Sequence, residues 1–277
     1  MKEEFTLALI GGGNMAGALA SGLIGRRCAA DHVHVIDPVE ATRAHWQGMG
    51  TTVAATPDAQ LAACRVWFFA VKPQVMAQVV QQCRPWLQAD TLVVSIAAGI
   101  PAQALAQWLG TPGQPFSRVV RCMPNTPALI AAGITGMMAL GGVDQADREL
   151  AQDLLSAVGE VLWVADDAAI DAVTAVSGSG PAYVFLFLEA LIQAGMQQGL
   201  SADQARKLAL ATFNGATQLA GLSPDSPAIL RERVTSKGGT TAAALEVFMA
   251  HDQAKIIHQA VAAATRRARE LAGQYAP

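Results

Sequence analysis

"ALIGGGNMAGALASGL", residues 8–23, decides the fold. An apolar run ends in three glycines and passes at once into small helix-forming residues. Gly11, Gly13 and Ala16 fit the spacing G-x-G-x-x-G/A. In that pattern Gly11 allows the tight turn, Gly13 lets the backbone approach a pyrophosphate, and Ala16 permits close helix–strand contact. The helix that follows presents free N–H groups and a partial positive charge to the phosphates. A tight strand-to-helix turn without a ligand has the same spacing; the strand before and the helix after are what point to a dinucleotide. Asp37 closes the next apolar run, where an acid commonly bonds the adenosine ribose and favours NAD. Arg43 stands six residues on, either to receive a 2′-phosphate instead or as a solvated helix charge.

Moving outward, the first 165 or so residues alternate β-branched apolar runs with alanine-rich helical stretches. Strands are expected at 6–11, 32–37, 51–55, 66–71, 92–97, 118–124, 134–140 and 160–164. Helices are expected between them at 14–27, 39–48, 75–88, 101–109 and 144–157. Such alternation implies βαβ units and a mostly parallel, doubly wound sheet with helices on both faces. The fourth and fifth strands are apolar on both alternations, as the buried centre of such a sheet requires. Beyond residue 165 the texture becomes all-helical, with helices at 167–177, 181–200, 202–222, 226–233, 240–251 and 253–273. "SGSGP", 177–181, reads as the turn that breaks the first of these from the second. The division is therefore a Rossmann-type domain over 1–165 and a helical domain over 166–277.

The helix from Pro181 is apolar almost all round, with Glu189 and Gln193 the main exceptions. A surface helix would keep a polar face. About 110 residues of helix cannot easily bury such an element alone, so a partner subunit, and hence a homodimer, is expected. Glu189 and the bounding Pro181 favour a buried helix over a membrane span.

Composition narrows the partners. Of 277 residues, 52% are hydrophobic and 15% charged, with a net charge of −3, which suits a well-buried globular protein. Basic residues form no long cluster, so neither nucleic acid nor a membrane is an expected partner. The apolar run after "MKEEF" is too brief for a signal segment. Cys28, Cys64, Cys83 and Cys122 are scattered without a CxxC pairing. They read as reduced core thiols of a cytoplasmic protein, and no metal site is expected.

Ligands of a doubly wound sheet sit beyond the carboxyl ends of its strands. Three loops qualify: "AVKPQ" (70–74), "SIAAGIP" (95–101) and "MPNTPA" (123–128). Pro73 turns the backbone of Val71 and Lys72 outward, and the small residues of the second loop leave room for a flat ring. A second glycine turn, "VTSKGGTTAAAL" at 234–245, precedes an apolar helix face carrying Leu245, Phe248 and Met249. The free N–H groups of that helix suit a carboxylate as well as a phosphate. With the dinucleotide assigned to the first turn, Lys237, Gly238, Gly239 and Thr240 either hold a second anionic ligand or form an ordinary helix cap at Thr240 or Thr241.

"GGGNMAGAL", "FAVKPQ", "VVSIAAG", "RCMPNTPA", "AVSGSGPAYVF" and "VTSKGGTT", in this order and spacing, resemble the pyrroline-5-carboxylate reductase family over nearly the whole chain. The resemblance implies an N-terminal Rossmann domain and a helical dimerisation domain. It further implies NADPH, sometimes NADH, as hydride donor and 1-pyrroline-5-carboxylate as acceptor. Dimers that assemble further into decamers are also implied. Carried over by motif, the cofactor contacts fall on Ile10, Gly11, Gly12, Gly13, Asn14, Met15, Ala70, Val71, Lys72, Pro73, Ala98 and Gly99. Substrate contacts fall on Thr240 and Thr241, with Asp167 and Ser179 as further candidates. The chain departs from the family in Lys237, where proline is common, and in Asp37, where serine, threonine or asparagine is common.

No histidine or interdomain lysine stands out as an acid–base partner. Lys207 lacks an asparagine four residues on, so the arrangement of a β-hydroxyacid dehydrogenase is missing. An imine can be protonated before hydride arrives and needs less help than an alcohol. Thr241 is the catalytic candidate, as hydrogen-bond donor to the ring nitrogen. A β-hydroxyacid dehydrogenase and a non-catalytic dinucleotide sensor are the alternatives.

Overall fold

The computed structural model describes residues 5–25 and 27–275. Met1 to Glu4, Arg26, Ala276 and Pro277 lie outside the described residues, and with them the start of the N-terminal run and one position of the first expected helix.

All eight expected strands form a single sheet: β1 (Leu7–Ile10), β2 (Val33–Ile36), β3 (Thr52–Ala54), β4 (Val66–Phe69), β5 (Leu92–Ser95), β6 (Val119–Met123), β7 (Gly133–Ala139) and β8 (Gly159–Trp163). Their order is β3-β2-β1-β4-β5-β6-β7-β8. Every pair is parallel except β6 with β7, where Cys122 faces Met137 across an antiparallel register. The strand order reverses its direction at β1 and β4, which opens the crevice where such sheets bind ligands.

The crossover helices are α1 (Asn14–Leu23), α2 (Glu40–Gly48), α3 (Pro73–Cys83), α4 (Ala102–Leu109) and α5 (Gln145–Leu155). They cover both faces of the sheet, and the core is accordingly double. In β4, Val66 and Phe68 pack to one side while Trp67 and Phe69 pack to the other, all four fully buried. Each such side chain contributes roughly 1.5–3 kcal/mol by leaving water. The pattern that read as apolar on both alternations is thus the sheet's centre. α5 is tied to the sheet through Asp147, buried between Arg65 and Arg118 at 2.5 Å from each.

The rest of the chain is helical: α6 (Asp167–Val173), α7 (Gly180–Gln197), α8 (Ala202–Leu222), α9 (Pro227–Arg233), α10 (Thr240–Ala250) and α11 (Gln253–Gly273). The "SGSGP" turn is a correction to the sequence reading. Thr174–Gly178 is a π-helical turn, closed by Ser179 N–H donating to Thr174 C=O at 2.8 Å. Helix therefore continues from Asp167 to Gln197. The wider π turn ends on Gly178 and Gly180 opens α7, while Pro181, which has no amide hydrogen, leaves the run one intrahelical bond short.

The chain divides into two compact units, residues 1–179 with 264–277, and residues 180–263. In the second unit Phe187, Phe213 and Phe248 join α7, α8 and α10, with ring centroids 5.3 and 6.3 Å from that of Phe187. Most other apolar side chains of α7 lie uncovered, Phe185 at 63% and Leu186 at 68% exposure among them. Among the described residues, Asp167–Gln197 is the one helical run long and apolar enough to cross a membrane by length and composition.

Candidate active site

The first glycine turn sits at the carboxyl end of β1. Gly11 adopts φ +100°, and a Cβ there would lie 2.9 Å from the carbonyl carbon and oxygen of Ala70. Only glycine fits a left-handed turn against a neighbouring strand's backbone. That contact brings Ala70 to Pro73, the loop from β4 into α3, directly beside the turn. Gly12 is held from the end of β2 and from α2: its N–H donates to Asp37 Oδ2 at 2.9 Å, and its C=O accepts from Trp46 Nε1 at 3.0 Å.

Gly13 caps α1 without a side-chain bond, and a Cβ on it would meet nothing within 4 Å. The first-turn amides of α1, including those of Asn14 and Met15, thus lack intrahelical acceptors and open onto free space. An uncapped N-terminus with room beside Gly13 fits a pyrophosphate in charge and in space. The residues present therefore fit the dinucleotide that the sequence implies.

Asp37 occupies the end of β2 as expected, but its carboxylate bonds the protein's own backbone. Oδ2 takes the Gly12 amide, and Oδ1 takes the Val39 amide at 2.9 Å. Arg43 Nη1 donates to the Asp37 carbonyl at 2.8 Å. The loop after β5 carries Ala98 and Gly99, the latter at φ +74° with Leu271 of α11 packed against it.

Asp167 starts α6, where its Oδ1 accepts from Arg121 Nη1 at 2.6 Å and from the Ala102 amide, the start of α4, at 3.2 Å. Arg121 Nη2 reaches Asp171 Oδ1, one helical turn on, at 3.2 Å. Sequence reading passed over Arg121. Its only local signal is a charge inside the apolar run of β6, a strand buried through Cys122. Ser179 follows the π turn, half-buried, and ends the first of the two segments that make up the first unit.

Lys237, Gly238, Gly239, Thr240 and Thr241 belong to the second unit. Gly239 caps α10 without a side-chain bond and is drawn into a turn by donating to Ser236 C=O at 3.0 Å. Lys237 and Thr240 are exposed, and Thr241 is half-buried. The two glycine turns share one design: an uncapped helix N-terminus behind a glycine.

His34 is buried, with Thr52 Oγ1 2.9 Å from Nδ1 and Asp58 Oδ1 3.1 Å from Nε2. Burial lowers its pKa despite the raising pull of Asp58. All four cysteines are buried and unpaired. Burial pushes the Cys64 thiol to about 11 and that of Cys83 to about 12, and raises those of Cys28 and Cys122. Protonated thiols of this kind are inert.

Residues 167–271 match the family model described as "Pyrroline-5-carboxylate reductase dimerisation", and residues 6–99 match "NADP oxidoreductase coenzyme F420-dependent". A pyrroline-5-carboxylate reductase of Pseudomonas aeruginosa is 47% identical over 269 residues, covering 97% of each chain. The structure of a pyrroline-5-carboxylate reductase from Coxiella burnetii is similar at a TM-score of 0.88 and 35% identity, covering 97% of this chain and 99% of that one. The Plasmodium falciparum pyrroline carboxylate reductase, solved with NADP bound, is similar at a TM-score of 0.86 and 26% identity, covering 98% of this chain and 100% of that one.

Proposed function

The chain belongs to the pyrroline-5-carboxylate reductase family, and on that footing we propose that it reduces 1-pyrroline-5-carboxylate to L-proline, the last step of proline biosynthesis. The observation that carries this reading is the pair of uncapped glycine N-termini, at Gly13 and at Gly239, one for each of two anionic ligands. NADPH, when bound, supplies the hydride.

The chain's own residues bind and orient. Ile10 to Met15 hold the pyrophosphate on the first-turn amides of α1. Ala70 to Pro73 back the turn at its β4 side. Ala98 and Gly99 leave the space that a flat ring needs. The amides behind Gly238 and Gly239, with Thr240, take the substrate carboxylate, and the Lys237 ammonium adds positive charge. Thr241 donates its hydroxyl hydrogen to the ring nitrogen, favouring positive charge development on the imine carbon. That carbon accepts hydride and the nitrogen takes its proton from solvent water; no bond to the protein forms or breaks. Asp167 and Ser179 are secondary substrate contacts. Arg121 holds the Asp167 carboxylate in place for that role.

The protein acts as a homo-oligomer. We infer a homodimer built on the uncovered face of α7, and a decamer as its larger assembly; the match of 167–271 to a dimerisation model supports the first. Residues 1–165 form the cofactor domain and 166–277 the substrate and dimerisation domain in this reading, and the compartment is the cytoplasm. The test is consumption of NADPH with 1-pyrroline-5-carboxylate, run in parallel with NADH. Turnover of the imine by either cofactor supports the reading. Binding without turnover would leave a sensor, and turnover of a hydroxy acid alone would leave a dehydrogenase.

A further inference from the structure

We propose that Asp37 and Trp46 are positioning residues for the pyrophosphate turn, and that the choice between NADPH and NADH is made at Arg43 and not at Asp37. The inference rests on the reading of the first turn as the dinucleotide site.

An acid at the end of β2 ordinarily bonds the ribose hydroxyls and repels a 2′-phosphate. Here both oxygens of the Asp37 carboxylate are engaged with backbone amides, Gly12 through Oδ2 and Val39 through Oδ1, each at 2.9 Å. Charge-assisted bonds to amides fix a carboxylate in orientation and disperse its charge. Turning it toward a ribose would break both. The Gly12 carbonyl, in the following peptide, accepts from the buried Trp46 indole at 3.0 Å. A Cβ on Gly12 would stand 2.7 Å from Trp46 Nε1 and 2.8 Å from Thr42 Cγ2, so the turn rests directly on α2. Both backbone polar groups of one residue are thereby fixed, and the Gly12 carbonyl belongs to the peptide that carries the Gly13 amide and leads into the first turn of α1. Its orientation sets where those amides aim.

Arg43 lies one turn before Trp46 on the same helix. Nη1 bonds the Asp37 carbonyl at 2.8 Å, which anchors the guanidinium at the ribose end of the site. Among the described residues no carboxylate pairs with it. A half-buried, anchored guanidinium with donors to spare is suited to a phosphate dianion. The sequence leaves discrimination open between Asp37 and Arg43; the geometry points to Arg43.

The experiment is calorimetric titration of the full chain, without substrate, with NADP+ and with NAD+, alongside a thermal unfolding scan of each variant. Asp37→Ala is expected to weaken both ligands by on the order of tenfold, with their ratio held within about threefold. Asp37→Asn, which keeps one acceptor oxygen for the Gly12 amide, recovers part of that loss, and Trp46→Phe weakens both ligands alike. Arg43→Ala weakens NADP+ by on the order of tenfold and NAD+ by several-fold less. Should Asp37→Ala fail to fold, Asp37→Asn and Trp46→Phe carry the first half of the test. Tighter NADP+ with weaker NAD+ in an Asp37 variant would overturn the proposal, as would an unchanged ratio in Arg43→Ala. A wild-type chain that bound neither ligand would overturn the dinucleotide reading itself.

Discussion

Arg121 Nη1 lies 2.6 Å from Asp167 Oδ1, so a side chain planted in the core strand β6 reaches the first residue of α6. The other fork nitrogen takes Asp171, and the guanidinium itself is only 2% exposed. One cation thus fixes two carboxylates on the same helical face, and with them the entry into the long run through the π turn. Removing it strands Asp171, itself 7% exposed, without a counter-charge.

Arg121→Met is therefore expected to destabilise the first unit by about 3–5 kcal/mol, the range for breaking a buried pair from one side. Arg121→Met with Asp171→Asn should recover part of the loss. Denaturant unfolding measures both. A cost for Arg121→Met under about 1 kcal/mol would mean that the pair does not hold α6.

The glycine turn separates stability from binding. Gly11→Ala places a methyl against Ala70 backbone at positive φ and should lower the melting temperature by several degrees. Gly13 is extended and faces open space, so Gly13→Ser costs no stability and caps α1 with its own hydroxyl. That hydroxyl competes for the amides meant for phosphate. Cofactor affinity should fall on the order of tenfold at unchanged melting temperature, read by titration and thermal scan together.

At the second turn, Thr240→Val with Thr241→Val keeps shape and removes two hydroxyls. KM for the imine should rise on the order of tenfold, and kcat should fall as well if Thr241 donates to the ring nitrogen. KM for the cofactor should stay put. An effect confined to the cofactor would overturn the assignment.

Leu186, 68% exposed on α7, is expected to sit in the subunit interface. Leu186→Arg should convert the assembly to smaller species in sedimentation velocity, with the first unit's fold kept by circular dichroism. An unchanged sedimentation coefficient would place the interface elsewhere.

His34 gives a pH signature. Burial holds its pKa below the ordinary 6.5, so the unfolded chain binds the proton more readily than the folded one. Its contribution to stability is complete above pH 6.5 and is lost as pH falls through the lowered folded value. His34→Gln should flatten the acid limb of the melting-temperature curve relative to wild type in that window. Identical slopes would show that the ring titrates normally.

Much of the fold was legible because its signals are local. Apolar runs such as Val66 to Phe69, alternating with alanine-rich stretches, mark the buried strands and the helices between them. Illegible features depend on distance or on backbone detail. Arg121 finds its partners 46 and 50 residues away, and no short window contains both ends. Two glycines and a proline at 178–181 signal a break, yet a single i→i+5 bond absorbs them into helix. Asp37 was legible in position but not in employment, since its ligands are amides that carry no sequence identity.

The chain returns to its starting unit at its end. Leu271 lies against Gly99, and the ring of Tyr275 stands edge-on to Trp108 with centroids 6.1 Å apart. The last turns of α11 thus back the loop after β5, which carries Ala98 and Gly99. Substitution of Leu271 or Tyr275 would therefore loosen the loop after β5 and the end of α4, so residues far along the chain would act on the loop proposed to receive a flat ring.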